Sequence, residues 1–271
     1  MKILKYKKIS SGKYLVTLDD NRELKLYEDV ILKYELLLKK DITNDIFPEI
    51  EAYNNECDVY YTALKSLKSK FKSSWELRKM LLSKDYPSSF VDIAIEKLEK
   101  QGYLNDRSFT RAYINNQIIT SSKGPNKIIK DLSGKGIDMS IISNEIGVFE
   151  EDIQIEKINK IIRMAIKSNR NKGGNVLKNK IVNDLVMSGY SYEVISKVID
   201  SYNFNDTSDI AKREYEKLYK RLNKKYSGKE LEYKIKEKLY QKGLSYEKDC
   251  KEKFYYYFIW NFSFCFYFGF S

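Results

Sequence analysis

The stretch SKGPNKIIKDLSGKGI, residues 122–137, has the pattern of one short helix and its end. Ile128 and Leu132 are spaced to share a helical face, and Gly136 stands where a left-handed glycine commonly ends a helix. The landmark is a leucine, then Gly or Asp four residues later, then an apolar residue. It occurs at Leu81, Asp85 and Tyr86; Leu132, Gly136 and Ile137; Leu185, Gly189 and Tyr190; and Leu239, Gly243 and Leu244.

The four landmarks indicate an internal repeat. Their leucines are 51, 53 and 54 residues apart. A period of about 50 residues has room for three helices, so we predict a mainly α protein of tandem three-helix bundles in an elongated array. The predicted repeats are residues 51–108, 109–154 and 155–208, with a partial fourth repeat at 209–253. An alternative is one irregular helical domain in which the landmarks coincide by chance.

A small module, residues 1–50, precedes the repeats. Residues 13–18 and 22–27 alternate apolar with polar side chains around a turn-forming segment, which predicts a β-hairpin. We expect a helix to cover its apolar face, because an isolated hairpin is marginally stable in water. The apolar residues at helical spacing are Val30, Ile31, Tyr34, Leu37 and Leu38.

The C-terminal tail, residues 254–271, departs from this pattern. Twelve of its 18 residues are aromatic and none is charged. Three interpretations are open: a reading-frame slip that replaced the natural terminus, a folded aromatic cap, and a membrane anchor. Its length reaches the lower limit for a membrane span, but Phe and Tyr suit hydrocarbon less well than Leu or Ile.

The residue types present argue against catalysis. The 271-residue chain has no histidine, which excludes Ser-His-Asp and Cys-His nucleophiles and every histidine-containing zinc site. Cys57, Cys250 and Cys265 form no Cys-x-x-Cys pair and are typical of reduced cytosolic thiols. The sequence has neither a phosphate-binding loop nor a dinucleotide-binding glycine motif. We therefore expect a cytoplasmic protein that is not an enzyme, without metal, cofactor or small-molecule substrate.

The basic residues indicate the partner. The net charge is +11, concentrated toward the C-terminal half, and such an excess attracts polyanions. Nucleic acid, or a complex containing it, is therefore the favoured partner. A spacing of 3, 4 and 3 residues predicts one cationic helical face formed by Lys160, Arg163, Lys167 and Arg170.

Segments without acidic residues, here called basic windows, precede the landmarks in all four units. They lie between Asp58 and Glu76, Asp106 and Asp131, Glu156 and Asp184, and Glu216 and Glu230. If the repeats stack regularly, the windows form one basic edge; the alternative is the ordinary solvated surface of a lysine-rich protein. Phe71, Trp75 and Tyr113 could stack on bases, although aromatics at helical spacing more often belong to the core. The remaining candidate binding residues are Lys65, Lys68, Lys72, Arg78, Arg111, Lys123, Lys127, Lys130, Lys178 and Lys180.

Three segments resemble the RecX family of recombinase regulatory proteins: ALKSLKSKFKSSWELRKML (63–81), LEKQGYLNDRSFTRAYI (98–114) and SKGPNKIIKDLSGKGI (122–137). The residues that match the family pattern are Ala63, Leu64, Ser74, Glu76, Leu77, Gly102–Asp106, Phe109, Lys123, Gly124, Ile128, Leu132, Gly136 and Ile137. The resemblance extends from residue 1 to about 250. It departs at Lys70 and Phe71, where the family usually has arginines, and at Thr110, where alanine is common.

The resemblance implies a non-enzymatic modulator of the RecA recombinase. It implies a helical repeat protein in the groove of the RecA filament on single-stranded DNA, hindering filament growth, ATP hydrolysis and strand exchange. The expected partners are the filament and single-stranded DNA, bound by a monomer in DNA repair and recombination. Two alternatives stay open: a stand-alone protein that binds single-stranded nucleic acid, and a membrane adaptor anchored by the C-terminal tail.

Overall fold

A computed structural model describes residues 1–10, 12–169, 171–204 and 207–245. These residues are mainly helical with one small N-terminal sheet, which confirms the predicted fold class. Among them, no helix is both long and apolar enough to cross a bilayer. Arg170 and the C-terminal tail lie outside the described residues, so the interpretations of the tail stay predictions. The chain divides into two compact units, Met1–Phe149 and Glu150–Ser271.

The N-terminal module contains a three-stranded antiparallel sheet of order β1-β2-β3. The strands are β1 (Ile3–Ser10), β2 (Lys13–Leu18) and β3 (Glu23–Tyr27). Strands β2 and β3 are the predicted hairpin, with Val16 opposite Leu24. Strand β1 is an addition to it. It is not evident from the sequence, because Ile3 is its one buried residue and lysines interrupt its alternation, as is common in edge strands.

The segment predicted as one helix after the hairpin forms two short helices. They are α1 (Glu28–Lys33) and α2 (Leu36–Lys39). Glu35 separates them in a left-handed conformation, with φ of 53°. This break turns the chain so that Leu36 enters the core. The expectation that Leu37 and Leu38 cover the sheet is therefore wrong, since they are 53% and 83% exposed.

Six helices complete the first unit. They are α3 (Phe47–Ser69), α4 (Ser74–Leu82), α5 (Ser88–Lys100), α6 (Asp106–Thr120), α7 (Pro125–Ser133) and α8 (Met139–Glu145), followed by a short 3-10 helix (Ile146–Val148). Helix α3 packs against α4 and α5, and α6 packs against α7 and α8. These contacts define two helix groups in the first unit.

The second unit contains five described helices. They are α9 (Glu151–Ser168), α10 (Gly174–Met187), α11 (Tyr192–Ile199), α12 (Ser208–Leu222) and α13 (Gly228–Tyr240). Helix α9 packs against α10 and α11, and α12 packs against α13. The grouping suits three helices per repeat, while the limits predicted for the individual repeats stay predictions.

All four landmarks share one backbone feature, a residue with positive φ just after a helix. The φ values are 62° at Asp85, 72° at Gly136, 96° at Gly189 and 70° at Gly243. At each of the three glycines, the next residue donates its amide to the carbonyl of the landmark leucine, for instance over 3.2 Å in the second landmark. This is the bond of a Schellman helix end, which returns the following apolar residue to the core. The predicted left-handed helix ends are confirmed.

The end of α7 joins the two helix groups of the first unit. Ser73 caps α4, and its hydroxyl donates to the Lys135 carbonyl over 2.7 Å. The Lys135 ammonium lies 2.5 Å from the Glu76 carboxylate. A Cβ at Gly136 would overlap the Trp75 side chain, so glycine is required for this close approach.

The second unit contains the corresponding contact. Gly173 precedes α10, and its amide donates to the Lys242 carbonyl over 3.0 Å. The Lys242 ammonium lies 2.6 Å from Glu214, and a Cβ at Gly243 would overlap the Gly173 carbonyl. In both units, the turn after a landmark therefore contacts the start of a helix in the preceding helix group. This helix is α4 in the first unit and α10 in the second.

Asp58 links the N-terminal sheet to the helices. Its carboxylate accepts hydrogen bonds from the Tyr27 hydroxyl (2.6 Å), the Tyr86 hydroxyl (2.7 Å) and the Lys13 ammonium (3.1 Å). Burial alone would raise the pKa of this carboxyl, but the three hydrogen bonds outweigh burial and hold the pKa below its usual range. The Asp58 carboxylate therefore joins four segments of the first unit, which are β2, β3, α3 and the turn before α5.

Replacing Gly136 by alanine should destabilise the first unit strongly. Alanine adds the backbone strain of positive φ, about 1–2 kcal/mol, and an overlap with Trp75 that costs about 1–3 kcal/mol more. Gly102→Ala is the matched control, because Gly102 has φ of 76° and no atom within 4 Å of an added Cβ. Hydrogen exchange of α4 and α7 should accelerate much more in Gly136→Ala, and equal effects would contradict the close approach.

The stability of the first unit should decrease on acidification, in part through Asp58. Because its pKa is lower in the folded than in the unfolded chain, its contribution is complete above the unfolded value of about 4 and is lost as the pH falls through the folded value. Asp58→Asn should lower the free energy of unfolding by about 1–2 kcal/mol at neutral pH. The loss is modest because Asp58 is partly exposed, and the variant should also show a flatter dependence of stability on acid pH.

Urea unfolding at several pH values measures this effect. Asp45→Asn, at an exposed aspartate of the same unit, is the matched control. An unchanged acid profile in Asp58→Asn would show that the Asp58 hydrogen bonds contribute nothing.

Candidate functional site

Helix α9 presents a cationic face. Lys160, Arg163 and Lys167 are exposed at positions i, i+3 and i+7, while Ile158 and Ile162 on the opposite side are buried. Within the described residues, neither Lys160 nor Arg163 has a carboxylate partner. The fourth predicted member, Arg170, lies outside the described residues, and its place on this face stays a prediction.

The charge on α9 also affects Lys157. Burial lowers the pKa of the Lys157 ammonium, and the charge of Lys160 lowers it further, against a smaller opposing effect of Glu156. Like charges one turn apart destabilise a helix, and a bound anion would offset their repulsion. The α9 face therefore has an electrostatic reason to bind a polyanion.

Further candidate cations of the first unit are solvent-accessible. Lys127 and Lys130 are exposed on α7, three residues apart and so on one side of the helix. Lys65 and Lys68 are exposed near the end of α3, and Lys72 is half-buried in the turn before α4. No ion pair of these five lysines occurs within the described part of the chain.

Four other candidate residues are paired with carboxylates. The pairs are Arg78 with Asp92, Lys123 with Asp131 (2.6 Å), Lys178 with Asp200 (2.8 Å) and Lys180 with Asp184 (2.7 Å). Arg78 lies just after the first basic window, whereas the three lysines lie within windows and take their carboxylates from the end of a window or from beyond it. A stretch without acidic residues is therefore not a surface without negative charge, and these four cations have less charge to offer a polyanion.

Arg111 belongs to a cluster that joins α6 to α8. Its Nε lies 3.0 Å from Glu145 Oε2, and Arg107 Nε donates to Glu145 Oε1 over 2.6 Å. The Glu145 side chain is 1% exposed, whereas those of Arg107 and Arg111 are 73% and 62% exposed. The hydrogen bond from Arg107 holds the pKa of the Glu145 carboxyl below its usual range, so the carboxylate stays charged beneath the two arginines.

Arg107 and Glu145 are absent from the candidates named from the sequence. The i, i+4 spacing of Arg107 and Arg111 is a usable signal for the first of them. Glu145 is 38 residues from Arg107, and its place beneath the arginines follows only from the packing of α8 on α6.

The three aromatic candidates all have packing roles. Phe71 is 49% exposed, and its ring centroid is 5.5 Å from that of the buried Phe109. Trp75 is 43% exposed and lies against Gly136, and Tyr113 is half-buried. Base stacking by these residues stays a prediction, as does the alignment of the four basic windows along one edge.

Comparison with known proteins assigns the family. Residues 105–144, which include α6 and α7, match the family described as RecX, second three-helix domain. The regulatory protein RecX of Lactococcus lactis subsp. cremoris is 31% identical over 246 residues, covering 86% of this chain and 90% of that protein. The chain belongs to the RecX family. The regulatory protein RecX of Listeria innocua serovar 6a is 29% identical over 239 residues, which cover 87% of this chain and 88% of that protein.

Solved RecX structures have a similar fold. A crystal structure of regulatory protein RecX matches with a TM-score of 0.66 at 24% identity, covering 73% of this chain and 98% of that one. A crystal structure of RecX from Lactobacillus salivarius matches with a TM-score of 0.53 at 26% identity, covering 55% and 97%. The RecX resemblance inferred from three segments is confirmed.

Charge reversal on α9 should weaken polyanion binding more than charge reversal at paired lysines. Lys160→Glu/Arg163→Glu removes two cations that have no carboxylate partner within the described residues. Lys178→Glu/Lys180→Glu changes the net charge equally but alters lysines that are already paired. The α9 variant should elute from a heparin column at lower salt than this control, and identical elution would contradict a special role for the face.

Proposed function

We propose that this RecX-family protein binds the RecA recombinase filament on single-stranded DNA and inhibits its ATP hydrolysis and strand exchange, in DNA repair and recombination. Its relatives are named regulatory proteins, which supports a regulatory role. The observation that carries the proposed partner is the exposed cationic face of α9. A filament that contains single-stranded DNA supplies the polyanion for which such a face is suited.

The proposed mechanism is occupancy of the filament. The α9 cations, with Lys127 and Lys130 of α7, neutralise backbone phosphates, while neighbouring surfaces contact recombinase subunits. Most of these cations are lysines, which neutralise phosphate as point charges without reading base sequence. Several weak contacts on one chain add through effective concentration, so a repeat protein can hold the filament without any strong single site.

The proposal contains no catalytic step by this chain. The protein acts as a cytoplasmic monomer, by competing for surface that the filament needs for growth and strand exchange. Its effect should therefore be stoichiometric with filament sites, and inhibition should saturate as these sites fill.

A stand-alone single-strand-binding protein is the second candidate, because the same α9 cations would serve naked DNA. It predicts tight binding to naked strands, with a log-log salt slope of about −0.7 for each phosphate neutralised. Weak binding to naked strands together with tight binding to the filament favours the proposed function.

Wild-type protein should slow ATP hydrolysis by the recombinase on single-stranded DNA. Changing Lys160, Arg163, Lys167 and Arg170 to Glu should raise the inhibitory concentration roughly tenfold or more, because attraction to phosphate becomes repulsion. Lys178→Glu/Lys180→Glu is the control for paired lysines.

The outcomes separate two claims. If the wild type leaves the hydrolysis rate unchanged, the proposed function fails. If the wild type and the variant with all four Glu substitutions inhibit equally, only the assignment of the binding site to α9 fails.

A further inference from the structure

A buried carboxylate lies beneath two exposed guanidinium groups on the surface formed by α6 and α8. One arginine can satisfy a carboxylate through a bidentate pair, so neutralising Glu145 does not require two. Here Arg107 and Arg111 share it, and the recorded contact of each is made by its Nε. Both side chains remain largely exposed, so part of each guanidinium group is accessible to a ligand.

The cluster carries a net positive charge. Two arginines and one carboxylate leave a net charge of +1 at the surface. Arg111 Nε forms an ion pair with the buried Glu145 Oε2 over 3.0 Å. One positive charge of the cluster therefore remains to attract an anion.

We propose that Arg107 and Arg111 together bind one backbone phosphate of a single nucleic-acid strand, and that Glu145 is the positioning residue for both guanidinium groups. The site rests on the proposed function, whose filament contains such a strand. The two arginines are four residues apart on α6, so their side chains are neighbours on one face. Their donors can meet the two non-bridging oxygens of a single phosphodiester from adjacent directions.

Phosphate fits this arrangement better than a carboxylate of a protein partner. The coplanar oxygens of a carboxylate match the fork of one guanidinium, whereas the two non-bridging oxygens of a tetrahedral phosphodiester can each face a different guanidinium group. The single negative charge of a phosphodiester also equals the net charge of the cluster. Because Glu145 already restrains both long side chains, binding loses less conformational entropy than it would with free arginines.

Binding of a fluorescent oligothymidine to the full-length protein, followed by anisotropy at low salt, tests the site. Arg107→Lys/Arg111→Lys keeps both charges but removes the guanidinium forks, and should weaken binding roughly tenfold. Arg22→Lys is the matched control, because Arg22 is also an exposed arginine beside a carboxylate, 2.7 Å from Asp20, and should bind like wild type. Equal affinity of the double variant and wild type overturns the proposal.

Glu145→Gln tests the positioning role separately. It raises the net charge by one, so general attraction predicts tighter DNA binding, whereas loss of positioning predicts binding weaker by several-fold. Circular dichroism melting should show that each variant remains folded. Tighter binding by Glu145→Gln overturns the role of Glu145.

Two further outcomes overturn the site. One is the absence of wild-type binding to the oligonucleotide. The other is competition by polyglutamate as effective as that by unlabelled DNA of equal charge, which would identify a carboxylate site. Recombinase ATP hydrolysis is a separate readout. If the protein inhibits hydrolysis but the variants bind the oligonucleotide like wild type, the phosphate site is wrong and the proposed function stands. If the variants lose oligonucleotide binding but wild type does not inhibit hydrolysis, the proposed function alone is wrong.

Discussion

The close approach of a helix end to the start of another helix is the constraint on which both units depend. It requires a residue without a side chain at the left-handed position after the landmark, because a Cβ there would overlap Trp75 in the first unit and the Gly173 carbonyl in the second. The residue before each glycine adds a second tie, since the carbonyls of Lys135 and Lys242 accept hydrogen bonds across these contacts. One backbone conformation therefore ends a helix and also joins two helix groups.

This way of joining helices decides which charges remain available. Helices that meet through a short turn bring carboxylates of one segment beside lysines and arginines of another, as in the pair of Lys123 with Asp131. Lys160 and Arg163 have no such neighbour in the described part of the chain, so they keep their full charge toward solvent. The Glu145 cluster is intermediate, because a buried carboxylate neutralises one charge and holds two guanidinium groups in place.

Local patterns predict much of this fold, and the exceptions have physical causes. Helices α4, α7, α10 and α13 lie where leucine spacing and the Gly or Asp landmark place them, because both signals act within a few residues. The sequence does not predict strand β1, because most of its side chains are exposed. It does not predict the break at Glu35 either, because a left-handed glutamate has no sequence signature. Family membership is recognisable from three short segments, because they hold the residues that cap, end and pack the helices.

In the candidate site too, the sequence predicts the local features and the tertiary structure decides the contacts between distant residues. By itself the sequence determines that the chain is helical, that its helices end at left-handed residues, and that its cations recur in windows, because these properties depend on neighbours a few positions apart. The tertiary structure alone decides the pairings between distant segments, such as that of Lys178 with Asp200, and which guanidinium groups share a buried carboxylate. The reason is that an ion pair depends on distance in space, and residues as far apart as Arg107 and Glu145 become neighbours only after the helices pack.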